Sequence, residues 1–317
     1  MTFAVVFPGQ GSQKTGMLKA LADEHSIVRD VFTEASDHFG QDLWALAQDG
    51  PDDALAETRI TQPLMFTSGV AVWRVLESAG LGQPAAVAGH SLGEFVALVA
   101  ANVISFPNGC KLVKRRAGLM ANAVPEGEGG MAALIGMDDE AVVSLCEDHT
   151  GERVVEAVNF NSPGQVAISG HLDAIEKAVA DAKPRGAKKA VVLPVSVPNH
   201  SSLMRGAGEE LANSMDAVSF NEPNIPIIQN ASATAPASLQ ELVTSLKQHV
   251  YSPVQWARTV AALRDNYGAN TLIEAGPGKV LTGLTKRIDR GLPCLPVDSD
   301  ESLTLALDAM NKEGVEV

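Results

Sequence analysis

The chain is predicted to be an α/β protein: a large domain on a parallel sheet, carrying an inserted small domain of the ferredoxin-like βαββαβ type. Three observations predict it. A strand-like run, Ala85-Ala86-Val87-Ala88, meets the turn Gly89-His90-Ser91-Leu92-Gly93 and then a helix-like run from Glu94 to Ala100. The first strand-like run, residues 2–7, also ends on a glycine-rich loop, residues 8–13. The composition then turns linker-like at Pro125-Glu126-Gly127-Glu128-Gly129-Gly130, and a strand–helix–strand–strand–helix–strand order follows it.

The elements follow in order. After the strand at 2–7 and its loop, apolar residues at helical spacing run to about residue 47, and a second long helical pattern covers 61–79. The strand and helix around Ser91 come next, then a basic helix over 107–123. The small domain reads as a strand at 131–135 and a helix at 138–148 opened by acidic residues. Strands at 154–160 and 165–169 are joined by the turn Asn161-Ser162-Pro163-Gly164. A helix at 172–182, with Asp173 as its cap, and a strand at 190–195 complete the unit. The large domain resumes with a helix at 201–215 and a short strand at 225–229, which Pro226 assigns to a sheet edge. Helices at 239–249 and 254–264 and a strand at 271–274 lead into Gly276-Pro277-Gly278. The boundaries are 1–127 with 197–317 for the large domain and 128–196 for the small one. No internal repeat or low-complexity tract interrupts them.

Composition narrows the function. An apolar fraction of 45% and a charged fraction of 20% describe an ordered globular chain of 317 residues, long enough for a large core. No run approaches the roughly 18 apolar residues of a membrane helix. The N-terminus has no basic region and reads as a strand rather than a signal peptide. Cys110, Cys146 and Cys294 are odd in number and far apart, which disfavours a disulfide framework or a zinc site and favours a reducing cytoplasm. A net charge of −14 argues against nucleic-acid binding, and an acidic partner would need a local basic patch.

Strand, glycine-flanked serine and helix form the context of a nucleophile elbow, which presents Ser91 at a helix N-terminus. The alternative is an ordinary strand–helix turn that contains a serine. A serine nucleophile needs a base. Of the seven histidines, His25 and His38 fall in helical patterns, while His149 and His171 fall in the small domain. His90 adjoins the serine, but its side chain is expected to leave the elbow in another direction. His200 lies where the chain returns to the large domain, at a junction suited to a cleft; the alternative is a loop histidine satisfied by backbone. The loop Phe7-Pro8-Gly9-Gln10-Gly11-Ser12-Gln13 fails the dinucleotide pattern because Lys14 stands where its third glycine belongs. The stretch from Gly278 to Thr285 fails the phosphate-loop pattern, with Leu284 in place of lysine. An oxyanion-hole loop is the better use of residues 8–13, paired with the Leu92 N–H, each donor contributing on the order of 3 kcal/mol in a transition state. The cations of Lys111-Leu112-Val113-Lys114-Arg115-Arg116 form a solvated face, or else one arginine turns inward to hold an acidic substrate. Spacing alone does not choose between Arg115 and Arg116.

Taken together, these motifs resemble the malonyl-CoA:acyl carrier protein transacylases of fatty acid synthesis. The resemblance runs through nearly the whole chain. It rests on Phe7–Gln13, Gly89-His90-Ser91-Leu92-Gly93-Glu94, Arg116 with Val124-Pro125-Glu126-Gly127, and Asn159-Phe160-Asn161-Ser162-Pro163-Gly164-Gln165. Ser196-Val197-Pro198-Asn199-His200 and Glu274-Ala275-Gly276-Pro277-Gly278-Lys279-Val280-Leu281 complete it. It implies an α/β-hydrolase-like large domain, with the site in the gorge beside the ferredoxin-like insert. It implies ping-pong chemistry from malonyl-CoA, through a malonyl-serine, to the phosphopantetheine thiol of holo-acyl carrier protein. No cofactor and no metal are implied, and a cytoplasmic monomer is expected. Residue by residue, Ser91 matches the nucleophile, His200 the base, and the N–H groups of Gln10 and Leu92 the oxyanion hole. Arg116 matches the arginine that binds the malonyl carboxylate, and Asn161 an asparagine near the histidine.

One position departs from the pattern. His249 stands four residues before Pro253, where the family commonly has glutamine. In the family a backbone carbonyl of this segment orients the catalytic histidine, a role that survives the replacement. Arg116, Asn161 and His249 make up the expected substrate-binding set, and His249 is expected to influence the pKa of His200. Two basic clusters are expected to supply the carrier-docking patch: Lys183, Arg185, Lys188 and Lys189, or Lys286, Arg287 and Arg290. The competing readings are a serine esterase or thioesterase, a relative serving polyketide synthesis or malonate decarboxylase, and a non-enzymatic scaffold. A hydrolase would carry a triad acid between serine and histidine, and none is clearly placed.

Overall fold

The computed structural model describes residues 1–311; the last six residues of the predicted large domain, 312–317, lie outside the described residues. Among the described residues nine strands form two sheets. In chain order they are β1 (Phe3–Phe7), β2 (Ala86–Gly89), β3 (Gly129–Ile135), β4 (Val155–Ser162), β5 (Gln165–His171), β6 (Lys189–Val192), β7 (Ile227–Ile228), β8 (Thr271–Ala275) and β9 (Cys294–Val297). The first sheet runs β7-β2-β1-β8-β9 and is parallel throughout. The second runs β4-β5-β3-β6 and is antiparallel.

The parallel sheet is buried on both faces, so its central strands read as continuous apolar runs. One face packs on the core that includes Phe7, Phe32, Phe66 and Phe95. The other packs on Trp256, Val260, Leu263 and Leu281. From β1 the chain winds outward through β2 to β7, then crosses back to β8 on the other side of β1. The order thus reverses beside β1, and the crevice at the carboxyl ends of such strands is where α/β sheets bind ligands. The glycine-rich loops after β1, β2 and β8 all open there.

Their close approach explains two of the glycines. A Cβ on Gly93 would lie 2.1 Å from the Phe7 carbonyl oxygen, and one on Gly89 would lie 1.9 Å from the Gly93 carbonyl carbon. Only a bare backbone lets the start of the elbow helix (Gly93–Ala100) sit on the end of β1.

The order of the second sheet is that of the ferredoxin-like arrangement, with helices Asp139–His149 and Leu172–Ala182 packed on one face. The β4–β5 hairpin turns on Pro163 and Gly164, with Ser162 opposite Gln165. Asp173 does not cap its helix as predicted: the N-cap is His171, without a side-chain cap, and Asp173 instead accepts from Arg153 Nε at 3.0 Å. The stretch predicted as helical to residue 47 is divided into Lys19–Glu24, Ser26–Phe39 and Leu43–Asp49. Gly40, in the left-handed region, ends the second, and the Asp42 carboxylate caps the third. The predicted helix at 201–215 begins as a single 3-10 turn, Ser202–Met204, before Arg205–Met215. Strand β9 and the helices Val280–Ile288 and Asp300–Asn311 add to the predicted elements. No helix among the described residues is long and apolar enough to cross a membrane.

Candidate active site

Ser91 follows β2 at the point where the chain reverses into the elbow helix. Its φ of 50° lies in the left-handed region, which costs a non-glycine residue about 1–2 kcal/mol. The turn thereby lifts the hydroxyl out of the sheet edge and into a cavity of about 280 Å³. Gly9, Gln10, His90, Leu92, Arg116, Asn161 and His200 are among its walls, with Met120, Met131 and Leu193 giving an apolar side. A larger cleft of about 570 Å³, lined by Glu156, Arg205 and Tyr251, also reaches His200, but Ser91 does not line it.

His200 Nε2 lies 2.7 Å from Ser91 Oγ. Its Nδ1 lies 2.9 Å from the Ser252 carbonyl oxygen and 3.2 Å from that of His249. Both carbonyls can only accept, so Nδ1 carries the proton and Nε2 offers its lone pair to the serine hydroxyl. No carboxylate is needed to set this tautomer. Burial, together with the nearby Arg116 and His90, pushes the His200 pKa down to about 3, which keeps the ring neutral at pH 7. The carbonyls partly offset that shift. Here the segment carrying His249 plays its part through its backbone.

Arg116 answers the choice left open within the basic helix (Phe106–Ala121). Arg115 is exposed and pairs with Glu210 at 2.8 Å, whereas Arg116 is 2% exposed and faces the cavity. Arg116 Nη1 donates to Gln62 Oε1, and Nη2 lies 3.4 Å from Ser91 Oγ. Its Nε has no hydrogen-bond partner, and no carboxylate among the described residues forms an ion pair with it. Burial lowers its pKa to about 9, with Glu94 pulling the other way, so it stays charged at pH 7. A buried guanidinium held by a neutral amide and aimed at the serine is able to receive a carboxylate.

The Gln10 loop and Leu92 line the same cavity. Among the described residues no hydrogen-bond acceptor takes up either backbone N–H. The Ser91 N–H is already bound, donating to Asn230 Oδ1 at 2.7 Å. Asn161, at the end of β4, sits 2.8 Å from His90 Nε2 and ties the second sheet to the elbow. His90 also lines the cavity, its ring set against Asn161 and Trp256.

His249 departs further from expectation. Its ring is buried behind His200, with ring centroids 5.6 Å apart, and is not among the residues that line the cavity. It packs edge-on against Phe95, and its Nε2 lies 3.7 Å from Glu94 Oε2. Three of the other four histidines are engaged elsewhere: His25 with Asp300, His149 with Asp181, and His171 as acceptor from the Val154 N–H.

Gln62, Glu94 and Asn230 were not singled out by the sequence. Gln62 lies in an almost wholly buried helix (Thr58–Ser78), where a glutamine that must find a partner is itself a signal. Glu94 stands three residues after the elbow serine and is 1% exposed. Burial raises its pKa to about 7 against its hydrogen bonds from Asn230 and Gln229.

The arrangement can activate a hydroxyl, attack an acyl carbon, stabilise the resulting oxyanion and select an acyl group that carries a carboxylate. The acyl transferase domain family matches residues 4–293. The malonyl CoA-acyl carrier protein transacylase of Salmonella typhimurium is 47% identical over 305 residues, 96% of this chain and 98% of that one. The acyl carrier protein S-malonyltransferase structure from Vibrio cholerae is 49% identical with a TM-score of 0.93, covering 96% of this chain and 100% of that one. A malonyl-transacylase solved in complex with its type II PKS acyl-carrier protein is 44% identical with a TM-score of 0.95, covering 98% and 100%. With a match this long on both sides, the chain belongs to the acyl transferase family, among the malonyl CoA-acyl carrier protein transacylases.

Proposed function

We propose that this chain carries malonyl groups from malonyl-CoA to the phosphopantetheine thiol of an acyl carrier protein, supplying fatty acid elongation, with Ser91 as the covalent relay. The observation that carries this reading is the buried Arg116, 3.4 Å from Ser91 Oγ and without an anionic partner among the described residues. A malonyl carboxylate completes it, and the thioester carbon then lies over the serine.

The chemistry runs in two halves. His200 Nε2 takes the Ser91 proton as Oγ attacks the thioester carbonyl. The Gln10 and Leu92 N–H groups hold the oxyanion, and its collapse expels the CoA thiolate, which takes the proton from His200. The carrier thiol then gives its proton to His200 and attacks the malonyl-serine ester. Collapse of the second oxyanion returns the proton to Ser91. Throughout, the two backbone carbonyls hold the His200 ring in the tautomer that serves both halves.

The carrier is acidic by family resemblance, and the Lys286, Arg287 and Arg290 cluster is the better docking patch. These cations flank a groove of about 790 Å³ beside the Pro163-Gly164 turn. Arg287 donates to Gln165, which also lines the Ser91 cavity. In the other cluster Arg185 is occupied by Asp148 and Asp181. The division into 1–127 with 197–317 and 128–196 is supported by the separate core under the second sheet. Free thiols at Cys110, Cys146 and Cys294 support a cytoplasmic setting, and we take the chain to act there as a monomer.

Intact-mass analysis tests the reading. Malonyl-CoA should leave one malonyl group on the wild-type protein, and holo-carrier should discharge it. Ser91→Ala should abolish the adduct. An adduct that persists in that variant, or that water removes faster than the carrier, refutes the proposal.

A further inference from the structure

Beneath the elbow lies a buried polar cluster for which the two half-reactions have no use. Its centre is Asn230, which follows edge strand β7 and is 3% exposed. Its carboxamide touches three successive parts of the elbow. Oδ1 accepts from the Ser91 N–H at 2.7 Å, and Nδ2 donates to the Gly89 carbonyl oxygen at 2.7 Å. Nδ2 also donates to Glu94 Oε2, and the Asn230 backbone N–H reaches the same oxygen at 2.8 Å. Gln229 Nε2 holds the other Glu94 oxygen at 3.4 Å.

We infer that Asn230 is a positioning residue for Ser91, clamping the end of β2, the nucleophile's own amide and the first turn of the elbow helix into one unit. The inference rests on Ser91 being the nucleophile. The left-handed backbone of Ser91 is disfavoured for serine and persists only where its surroundings enforce it. Asn230 supplies that enforcement from the turn after β7, and Glu94 orients Asn230 in turn. The Ser91 N–H is thereby removed from the pool of oxyanion donors, which leaves the Gln10 and Leu92 amides to serve. Donor and acceptor are both required of this side chain: an acceptor for Ser91, a donor for Gly89 and Glu94. That requirement separates asparagine from leucine, which has the same size but neither group.

The test compares Asn230→Leu, the double variant Asn230→Asp with Glu94→Gln, and wild type in single-turnover malonylation from malonyl-CoA. Asn230→Leu should slow acylation about 100-fold, the scale of an ångström-sized misplacement, with KM for malonyl-CoA held within about 2-fold. The double variant keeps an acceptor for the Ser91 N–H and restores a donor between the two side chains but leaves the Gly89 carbonyl without one, so it should recover part of that rate. In wild type, the Ser91 amide should be protected from hydrogen exchange, a measurement that needs no variant to fold. A leucine variant within about 3-fold of wild type, a folded double variant as slow as the leucine one, a loss confined to KM, or a freely exchanging Ser91 amide would each overturn the assignment. Peptide mapping of the wild-type adduct keeps the two readings apart. An adduct off Ser91 removes the nucleophile and the clamp together, whereas an adduct on Ser91 with an indifferent Asn230 removes the clamp alone.

Discussion

Replacing Arg116 with alanine removes the cation that the cavity aims at Ser91. In a site of effective dielectric about 20, a carboxylate some 4 Å from a guanidinium gains about 4 kcal/mol. Part of this is offset by stripping water from the malonyl carboxylate, and the net value of a charge-assisted bond of this kind is about 2–3 kcal/mol. Gln62, which accepts from Arg116 Nη1, cannot substitute, because its side chain carries no charge. The expected loss in kcat/KM for malonyl-CoA is therefore about 30- to 160-fold. Acetyl-CoA has no carboxylate and loses only the long 3.4 Å contact with Ser91 Oγ, about 5-fold or less. The assay is single-turnover acylation of Ser91 with each thioester, followed by intact mass. Arg116→Lys should fall between, since an ammonium supplies charge without the planar fork. Equal losses for both thioesters would refute the argument and make Arg116 a purely structural residue. A second readout is independent of the acyl group: Arg116 helps to hold the His200 pKa down, so its removal should move the acid limb of the remaining activity upward.

Three further outcomes follow from the same geometry. His200, held near pKa 3, stays neutral as pH falls through 6.5, so kcat/KM for malonyl-CoA should show no acid limb there. Because the unfolded histidine takes up a proton first, the stability tied to the neutral ring is full above about pH 6.5 and drains as pH falls toward 3. A limb at 6.5 in a pH–rate profile on folded protein would contradict the assigned environment. Gly93→Ala places a Cβ 2.1 Å from the Phe7 carbonyl oxygen and should cost about 3 kcal/mol in denaturant unfolding; a loss below about 1 kcal/mol would mean that the elbow and β1 are not held together at this point. Charge reversal at Lys286 and Arg290 should raise KM for holo-carrier at low salt, with malonyl-serine formation unchanged. An unchanged KM would move the docking patch elsewhere.

Much of this site was legible because its signals are local. The Ser91 elbow needs a strand, two glycines and a helix within a few residues, and the sequence carries all of them in one stretch. The small sheet was legible for the same reason: each alternation and turn lies beside the next, and the Pro163-Gly164 turn sets the β4–β5 register directly. Asp173 shows the limit of such rules. It lies inside the helix, two residues past the His171 N-cap, and pairs with Arg153, 20 residues away.

The sequence by itself determined the chemistry on offer: a nucleophile elbow, a histidine at a chain junction, a loop of free amides and two adjacent arginines. Tertiary structure decided which of these meet. It turned Arg116 inward and left Arg115 to Glu210, because only one face of that helix packs on the cavity. It brought His90 into the site and kept the ring of His249 out. It selected the Ser252 and His249 carbonyls to fix the His200 tautomer, a choice invisible in sequence because every residue carries the same carbonyl. Asn230 reaches Ser91 from 139 positions away, and only the pairing of β7 with β2 makes them neighbours. The Ser91 elbow could be read from its own stretch of sequence, whereas its clamp could be read only from the fold.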